Sequence, residues 1–343
     1  MINIIEKRRI PFIISSIVFA ASLLALLVYG LKPGIDFTGG SLMEVQFTAE
    51  RPAVVEVEEV LAPFELGNIV VQPANDDSMI IKMRFISEDE HQEILAAMRA
   101  AFAEESVEDV AMLVTESDTE VVVSTEGGET GVVAVTAEPV ASEEEVPVAR
   151  VLEKRVETIG GVISSELQRR SWQAGIAVVL AIIVFVAYAF RRVTKPVSSW
   201  KYGITAIVAL IHDVVITMGI FALLGKFYGI EIDVPFVVAM LTILGYSVND
   251  TIVVFDRVRE KLIKRGRSKF AETVNMGVNE TLVRSINTSI TTLVVLFGLF
   301  IFGGDSIHYF SLALIIGIML GTYSSIFLAS PLLVVWERMA DRK

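Results

Sequence analysis

Six long apolar runs constrain this chain more than any other feature. They cover residues 11–31, 171–190, 202–225, 235–256, 284–302 and 309–336. Crossing about 30 Å of hydrocarbon at about 1.5 Å per residue takes about 20 residues of helix. Each run is long enough. Lipid offers no water to a backbone amide or carbonyl, so such runs fold as helices that bond internally. The competing reading is six large buried helices in one soluble domain, and so many runs in 343 residues argue against it. The expected fold class is a membrane protein of six transmembrane α-helices. "EKRRI" before the first run would suit a signal peptide, but no small-x-small cleavage site precedes "LKPGIDFTGG". An uncleaved anchor is expected.

Basic residues in the short connections set the orientation. Lys7, Arg8 and Arg9 lie in segment 1–10, and Arg191, Arg192, Lys195 and Lys201 lie in the second connection. Arg257, Arg259, Lys261, Lys264, Arg265, Arg267, Lys269 and Arg284 crowd the region 257–284, and Arg338, Arg342 and Lys343 close the tail 337–343. The opposite connections hold only Lys226. Both termini and the basic loop 257–283 are therefore expected in the cytoplasm, with the large loop 32–170 outside. That loop carries 10 Lys and Arg against 29 Asp and Glu, a net of −19, while the remainder is at +7. Nucleic acid needs a basic footprint and is excluded as a partner of this domain.

Within 32–170 the pattern is strand 41–47, helix 53–64, a hairpin of 68–73 and 78–85 around "ANDD", helix 87–102 and a last strand in 154–161. Ser87 with Glu90 three residues on is a capping box. The order β-α-β-β-α-β suits a small α+β ferredoxin-like sandwich. Segment 116–148 is acidic, lacks aromatics and is broken by Gly, Pro, Ser and Thr. It reads as a partly disordered insertion, with an extra hairpin from its Val-rich pieces as the alternative.

Signatures of soluble enzymes are missing, and no enzyme activity is expected. Cysteine is absent, so thiol chemistry and Cys-ligated zinc are excluded, and His91, His212 and His308 are scattered. No cofactor or metal is expected. Chemistry concentrates instead in polar residues inside the spans. Asp213 follows His212 in the third run, Asn249 and Asp250 lie in the fourth, and Asp256 sits at its cytoplasmic edge. The fifth opens on "RSINTSITT", where Arg284, Thr288 and Thr291 share a face. Intramembrane carboxylates usually face a bundle interior and mark ion or proton paths. Asp250 and Asp213 are the first candidates, and Arg284 is placed to pair with Asp250. Bland readings stay open: a solvated cluster for Asp256, helix packing for the hydroxyls, a hydrogen bond within the bundle for His212, and a snorkelling anchor for Arg284.

"GIDFTGG" (34–40) resembles the signature of the SecD/SecF family, accessory subunits of the bacterial Sec translocase, through Gly34, Asp36, Gly39 and Gly40. "LGYSVNDTIVVFDRVRE" (244–260), "RSINTSITT" with "FGG" (284–292, 302–304) and "IGGVISSELQRR" (159–170) are similar to the SecF branch. The resemblance spans nearly the whole chain, and segment 116–148 departs from it by its length. It implies half of a resistance-nodulation-division (RND) type bundle in the bacterial cytoplasmic membrane. Such a subunit pairs with a SecD-like chain, joins the SecYEG channel and uses the proton gradient to promote export of preproteins. The resemblance places the charged pair on Asp250 and Arg284, with Asp213 beside it. Burial favours a neutral carboxyl, so Asp250 would load a proton from outside and release Arg284. Two other readings are a proton-coupled exporter of small molecules or lipids, and a passive translocon scaffold.

Overall fold

The computed structural model describes residues 2–48, 50–74, 76–103, 151–189, 199–265 and 269–340. Segment 116–148 lies outside the described residues, as do Arg191, Arg192, Lys195, Arg267, Arg342 and Lys343. The chain divides into two compact units, Gly40–Gly160 and Met1–Gly39 with Gly161–Lys343. Of the expected outer loop 32–170, residues 40–160 fall in the first of these units, and 32–39 and 161–170 fall in the unit of the helices. Both crossings between units run through paired glycines, Gly39–Gly40 and Gly160–Gly161.

In the first unit β1 (Gly40–Phe47), β2 (Val70–Ala74), β3 (Ser78–Met83) and β4 (Val151–Ile159) form one antiparallel sheet in the order β2-β3-β1-β4. Period-2 alternation puts Met43 and Val45 of β1 and Met79 and Ile81 of β3 on one face. Helices α3 (Val54–Leu61) and α4 (Glu88–Ala101) supply Val57, Leu61, Ile94 and Met98 to the same core. Burying side chains of this size contributes about 1.5–3 kcal/mol each. His91 of α4 lies between Glu88 and Glu153 of β4, at 3.2 and 3.1 Å.

The start of α4 is fixed by charge as well as shape. Ser87 Oγ accepts from the Glu90 amide, and Glu90 Oε2 accepts from the Ser87 amide at 2.9 Å. Arg84 donates to both oxygens of Glu90, at 2.6 and 3.3 Å. The Arg84 guanidinium first, then the Ser87 amide, hold the Glu90 carboxyl down at about 2. A lowered folded value gives stability that is present above the ordinary 4.5 and lost as pH falls towards 2. Glu90→Gln is expected to flatten the acid loss of stability in this window, read by thermal unfolding of the full chain. An unchanged acid limb would assign that loss to other carboxylates.

The second unit holds α1 (Arg9–Tyr29), the short α2 (Ile35–Thr38), α5 (Gly161–Ala189), α6 (Ser199–Tyr228), α7 (Val234–Arg265), α8 (Phe270–Phe302), α9 (Asp305–Ser324), a π turn (Ser325–Ala329) and α10 (Ser330–Ala340). Six helices among the described residues are long and apolar enough to cross a membrane, the last joining α9, the π turn and α10 over Ser306–Met339. Their outer faces are exposed and apolar, as with Leu27 and Val28 of α1, Val184 and Phe185 of α5, and Val294 and Val295 of α8. Such faces suit hydrocarbon.

Small residues let the helices approach, as is usual where lipid supplies no hydrophobic drive between them. Gly317 and Gly321 of α9 lie one turn apart on α7. A Cβ at Gly317 would stand 2.2 Å from Ile243 Cδ1, and one at Gly321 would stand 3.1 Å from Ser247 Cβ. Gly277 of α8 meets the Val258 backbone of α7 in the same way, and Gly219 of α6 meets Ser22 of α1.

The expected cytoplasmic loop 257–283 is mostly helix. α7 continues to Arg265 and α8 begins at Phe270. Charged pairs one turn apart sustain helix beyond the apolar run: Lys264 reaches Glu260 at 2.7 Å, and Arg257 also pairs with Glu260. Glu280 of α8 takes Lys261 at 2.6 Å and Arg257 from α7, tying the two helices together. Asn275 and Asn279 of α8 bond the backbone of Ile2, Ile4 and Ile5.

Candidate functional site: two carboxylates among hydroxyls

The site begins with a helix that is capped from elsewhere in the chain. Asp36 of α2 accepts from the Val234 amide, in the first turn of α7, at 2.8 Å. A carboxylate there satisfies an orphan donor and complements the helix dipole. Around it the chain is clasped. Ile232 N donates to Lys32 O and Gly34 N to Ile232 O, each at 2.8 Å, and Lys32 pairs with Glu231 at 3.1 Å. Gly34 is hemmed in, since a Cβ would stand 3.1 Å from Ile232 O. Gly39 and Gly40 have φ of +72° and +124°, and a Cβ on Gly40 would stand 2.7 Å from Met83 O. The glycine pair is therefore required by backbone conformation and by space.

Deeper in the bundle, α6, α7, α8 and the α9 end converge on two carboxylates. Asp213 is fully buried. Its Oδ2 accepts from Ser247 Oγ of α7 and Ser324 Oγ of α9, both at 2.7 Å, and its Oδ1 lies 2.9 Å from His212 Nδ1. Asp250 is half-buried; its Oδ1 accepts from Ser285 Oγ of α8 at 2.6 Å, and its Oδ2 accepts from Ser325 Oγ. Two consecutive serines thus serve two carboxylates from different helices. The π turn starts at Ser325, and Ser330 Oγ bonds back five residues to Ser325 O at 3.1 Å. π turns of this kind often mark functional sites. Hydroxyls continue the polar seam: Tyr246 meets Ser289 at 3.1 Å, and Ser289 meets Thr322.

The pairing of Asp250 with Arg284 is not what this structure shows. Arg284 is exposed and makes no ion pair among the described residues. The reason is helical geometry. Ser285 faces Asp250, and its neighbour on α8 points about 100° away. Arg284, Thr288 and Thr291 do share a face, as their spacing predicts, but it is the exposed one. The hydroxyls of Thr288 and Thr291 bond their own helix, to Arg284 O and Thr288 O. Asn249 also stays outside the cluster, on the exposed side of α7. Asp256 is exposed and pairs with Arg259 at 3.1 Å one turn on. Of the five intramembrane candidates, only Asp213 and Asp250 meet in the polar seam.

Sequence reasoning missed Ser247, Ser285, Ser324 and Ser325. A serine in an apolar helix carries little signal alone. The doublet "SS" at 324–325 inside the last run was the one visible cue.

Fold and seam together define a multi-pass membrane protein that buries carboxylates among hydroxyls at a helix crossing. The family model for the protein export membrane protein SecD/SecF, C-terminal, matches residues 141–339, and that for the SecD/SecF GG motif matches residues 24–50. The chain belongs to the SecD/SecF family of protein export membrane proteins. On the SecF side, it is 37% identical over 341 residues to Protein translocase subunit SecF of Thermobaculum terrenum, covering 98% of this chain and 94% of that protein. It is 36% identical over 342 residues to the protein of the same name from Desulfurispirillum indicum, covering 98% and 92%. The crystal structure of SecDF, a translocon-associated membrane protein from Thermus thermophilus, matches with a TM-score of 0.73 at 27% identity. That match covers 98% of this chain and 39% of that one.

Proposed function

We propose that this chain is a SecF-type accessory subunit that couples proton movement through the cytoplasmic membrane to protein export. It works beside a SecD-type chain and the SecYEG channel on a translocating preprotein, with both termini in the cytoplasm. The bundle is one half of an RND-type assembly, and the sheet unit, with strand order β2-β3-β1-β4, is a ferredoxin-like extracytoplasmic domain. One observation carries the reading: Asp250 sits in a spanning helix, held by hydroxyls from two other helices, with no cation among the described residues beside it. Binding a proton removes its charge without leaving a partner ion stranded. Ser325 can turn, because its Oγ already lies 3.0 Å from Thr322 O. The helices then hold a different set of bonds in each protonation state. That is the differential contact a two-state cycle needs.

The exposed polar face also supports a half-assembly. Arg284, Thr288, Thr291 and Asn249 lie at membrane depth on faces of α7 and α8 that the described residues leave uncovered. A charged residue on a lipid face costs about 2.5–3.5 kcal/mol even on insertion scales, so a second bundle covering it is favoured. The native chain contains no cysteine, so single cysteines report this directly. Thr291→Cys is expected to cross-link to a SecD-type chain in native membranes, and Val184→Cys on α5 is not. Equal labelling of both by lipid-soluble reagents, with no cross-link, would remove the half-assembly reading.

A further inference from the structure

We propose that His212 is a second proton-binding residue, with Asp213 as its fixed counter-charge. The inference rests on the proton-coupled reading above and deepens it. His212 is 5% exposed, and its Nε2 is buried with no hydrogen-bond partner. Its Nδ1 is committed to Asp213 at 2.9 Å, and its ring stacks on Phe19 of α1 at 6.2 Å between centroids. A buried polar atom left unpaired is costly and calls for a reason. Donating from Nδ1 leaves Nε2 with a lone pair, which is where an incoming proton settles. Asp213 is poorly placed to take that proton itself. Three donors already converge on its two oxygens, so a carboxylic O–H would have to turn one of them away.

The balance is simple. The proton adds to the Nε2 lone pair, and the ring becomes an imidazolium with both nitrogens protonated. The added charge is neutralised by Asp213 through the Nδ1–H bond already present. On release the proton leaves Nε2, and the same Nδ1–H bond remains. Other charges stand apart. On α7 Asp250 belongs to the same seam, reached through Ser325 beside Ser324. On α9 Tyr323 bonds Ser15 and Pro11 of α1, and on α7 Tyr246 bonds Ser289. On α5 Glu166 takes Arg169 and Arg170, and on α10 Glu337 takes Lys201 at 2.6 Å. Asp213 is therefore the ion that His212 faces. The two proton sites communicate through adjacent residues of one turn: Ser324 bonds Asp213, Ser325 bonds Asp250, and Ser324 Oγ has Gly321 O at 3.2 Å as a second acceptor.

The test uses the whole chain, reconstituted with its partner in proteoliposomes and labelled with ¹⁵N-histidine. With three histidines in the sequence, the ring signals are separable. The ring ¹⁵N signal of His212 is expected to show Nε2 gaining its proton when the native protein is acidified. His212→Asn keeps an amide donor where Nδ1–H stands but has no Nε2. Its gradient-driven export is expected to fall on the order of tenfold or more, with unfolding temperature and partner association unchanged. An Nε2 that never titrates in the native chain overturns the proposal, whatever the variant does. So does His212→Asn with full gradient-driven export. Asp250→Asn is the separating control: if it retains gradient dependence, the proton-coupled reading itself fails, whereas its loss alongside a normal His212→Asn sinks only the histidine.

Discussion

Asp250→Asn is expected to abolish the stimulation of export by a proton gradient and leave the protein folded. The amide matches the carboxylate in shape and bonding. Its Oδ1 accepts from Ser285 as the native Oδ1 does, at 2.6 Å. Its NH₂ replaces an acceptor at the second position, and Ser325 answers by turning its own proton to Thr322 O, already at 3.0 Å. No buried group is stranded, so the penalty is expected to stay within about 1 kcal/mol, the net scale of one hydrogen bond. The titratable proton is gone. Export without an imposed gradient should continue in membrane vesicles, and the increment on imposing a gradient should vanish. A normal increment would remove Asp250 from the proton path, and the proton-coupled reading with it.

Gly317→Val is expected to have the largest structural effect of any single substitution in the seam. Its Cβ would fall 2.2, 2.3 and 2.8 Å from three carbons of Ile243, which is fully buried. α7 and α9 must then separate, at about 3 kcal/mol, the upper part of the usual overpacking range. The next turn adds a functional cost. Gly321 lies against Ser247, and Ser247 holds Asp213. Widening the crossing therefore disturbs the carboxylate cluster as well as the core. The check is a double-mutant cycle by thermal unfolding in detergent. Ile243→Ala should be destabilising alone, yet should recover much of the loss in the Gly317→Val background. Strict additivity would mean that the two residues do not share the strain.

The contrast between Asp250 and Arg284 shows what a sequence of this kind discloses. Apolar runs announce spanning helices because hydrocarbon tolerates little else, and a carboxylate inside one stands out by its cost. Which way a neighbour points is harder. Arg284 was placed opposite Asp250 on chemistry, but Ser285 occupies that face and turns Arg284 outward. The serines were illegible for a physical reason: a hydroxyl can bond its own helix, as Thr288 does with Arg284 O, so its type does not reveal whether it serves another group. The π turn has no residue signature at all. The ends of α7 and α8 were underrun because ion pairs such as Lys264 with Glu260 carry helix past the apolar boundary. In the sheet unit the opposite holds. The Ser87–Glu90 box and the alternation of 41–47 are local devices, and both stand in the structure as written in the sequence.

The clasp at the Val234 end of α7 has a mechanical consequence. Just before β1 the chain turns through α2 and is pinned there by Asp36 to Val234. From there to Asp250 runs unbroken helix, about 24 Å of it at the standard rise. A helix of that length behaves as a stiff rod, so tension arriving at α2 reaches the carboxylate with little loss. Linkage runs both ways. If protonation at Asp250 displaces the rod, then pulling on its far end must alter the affinity for the proton by the same free energy. On the proton-coupled reading proposed above, a stalled export substrate would throttle proton uptake, and the subunit would idle against resistance instead of dissipating the gradient.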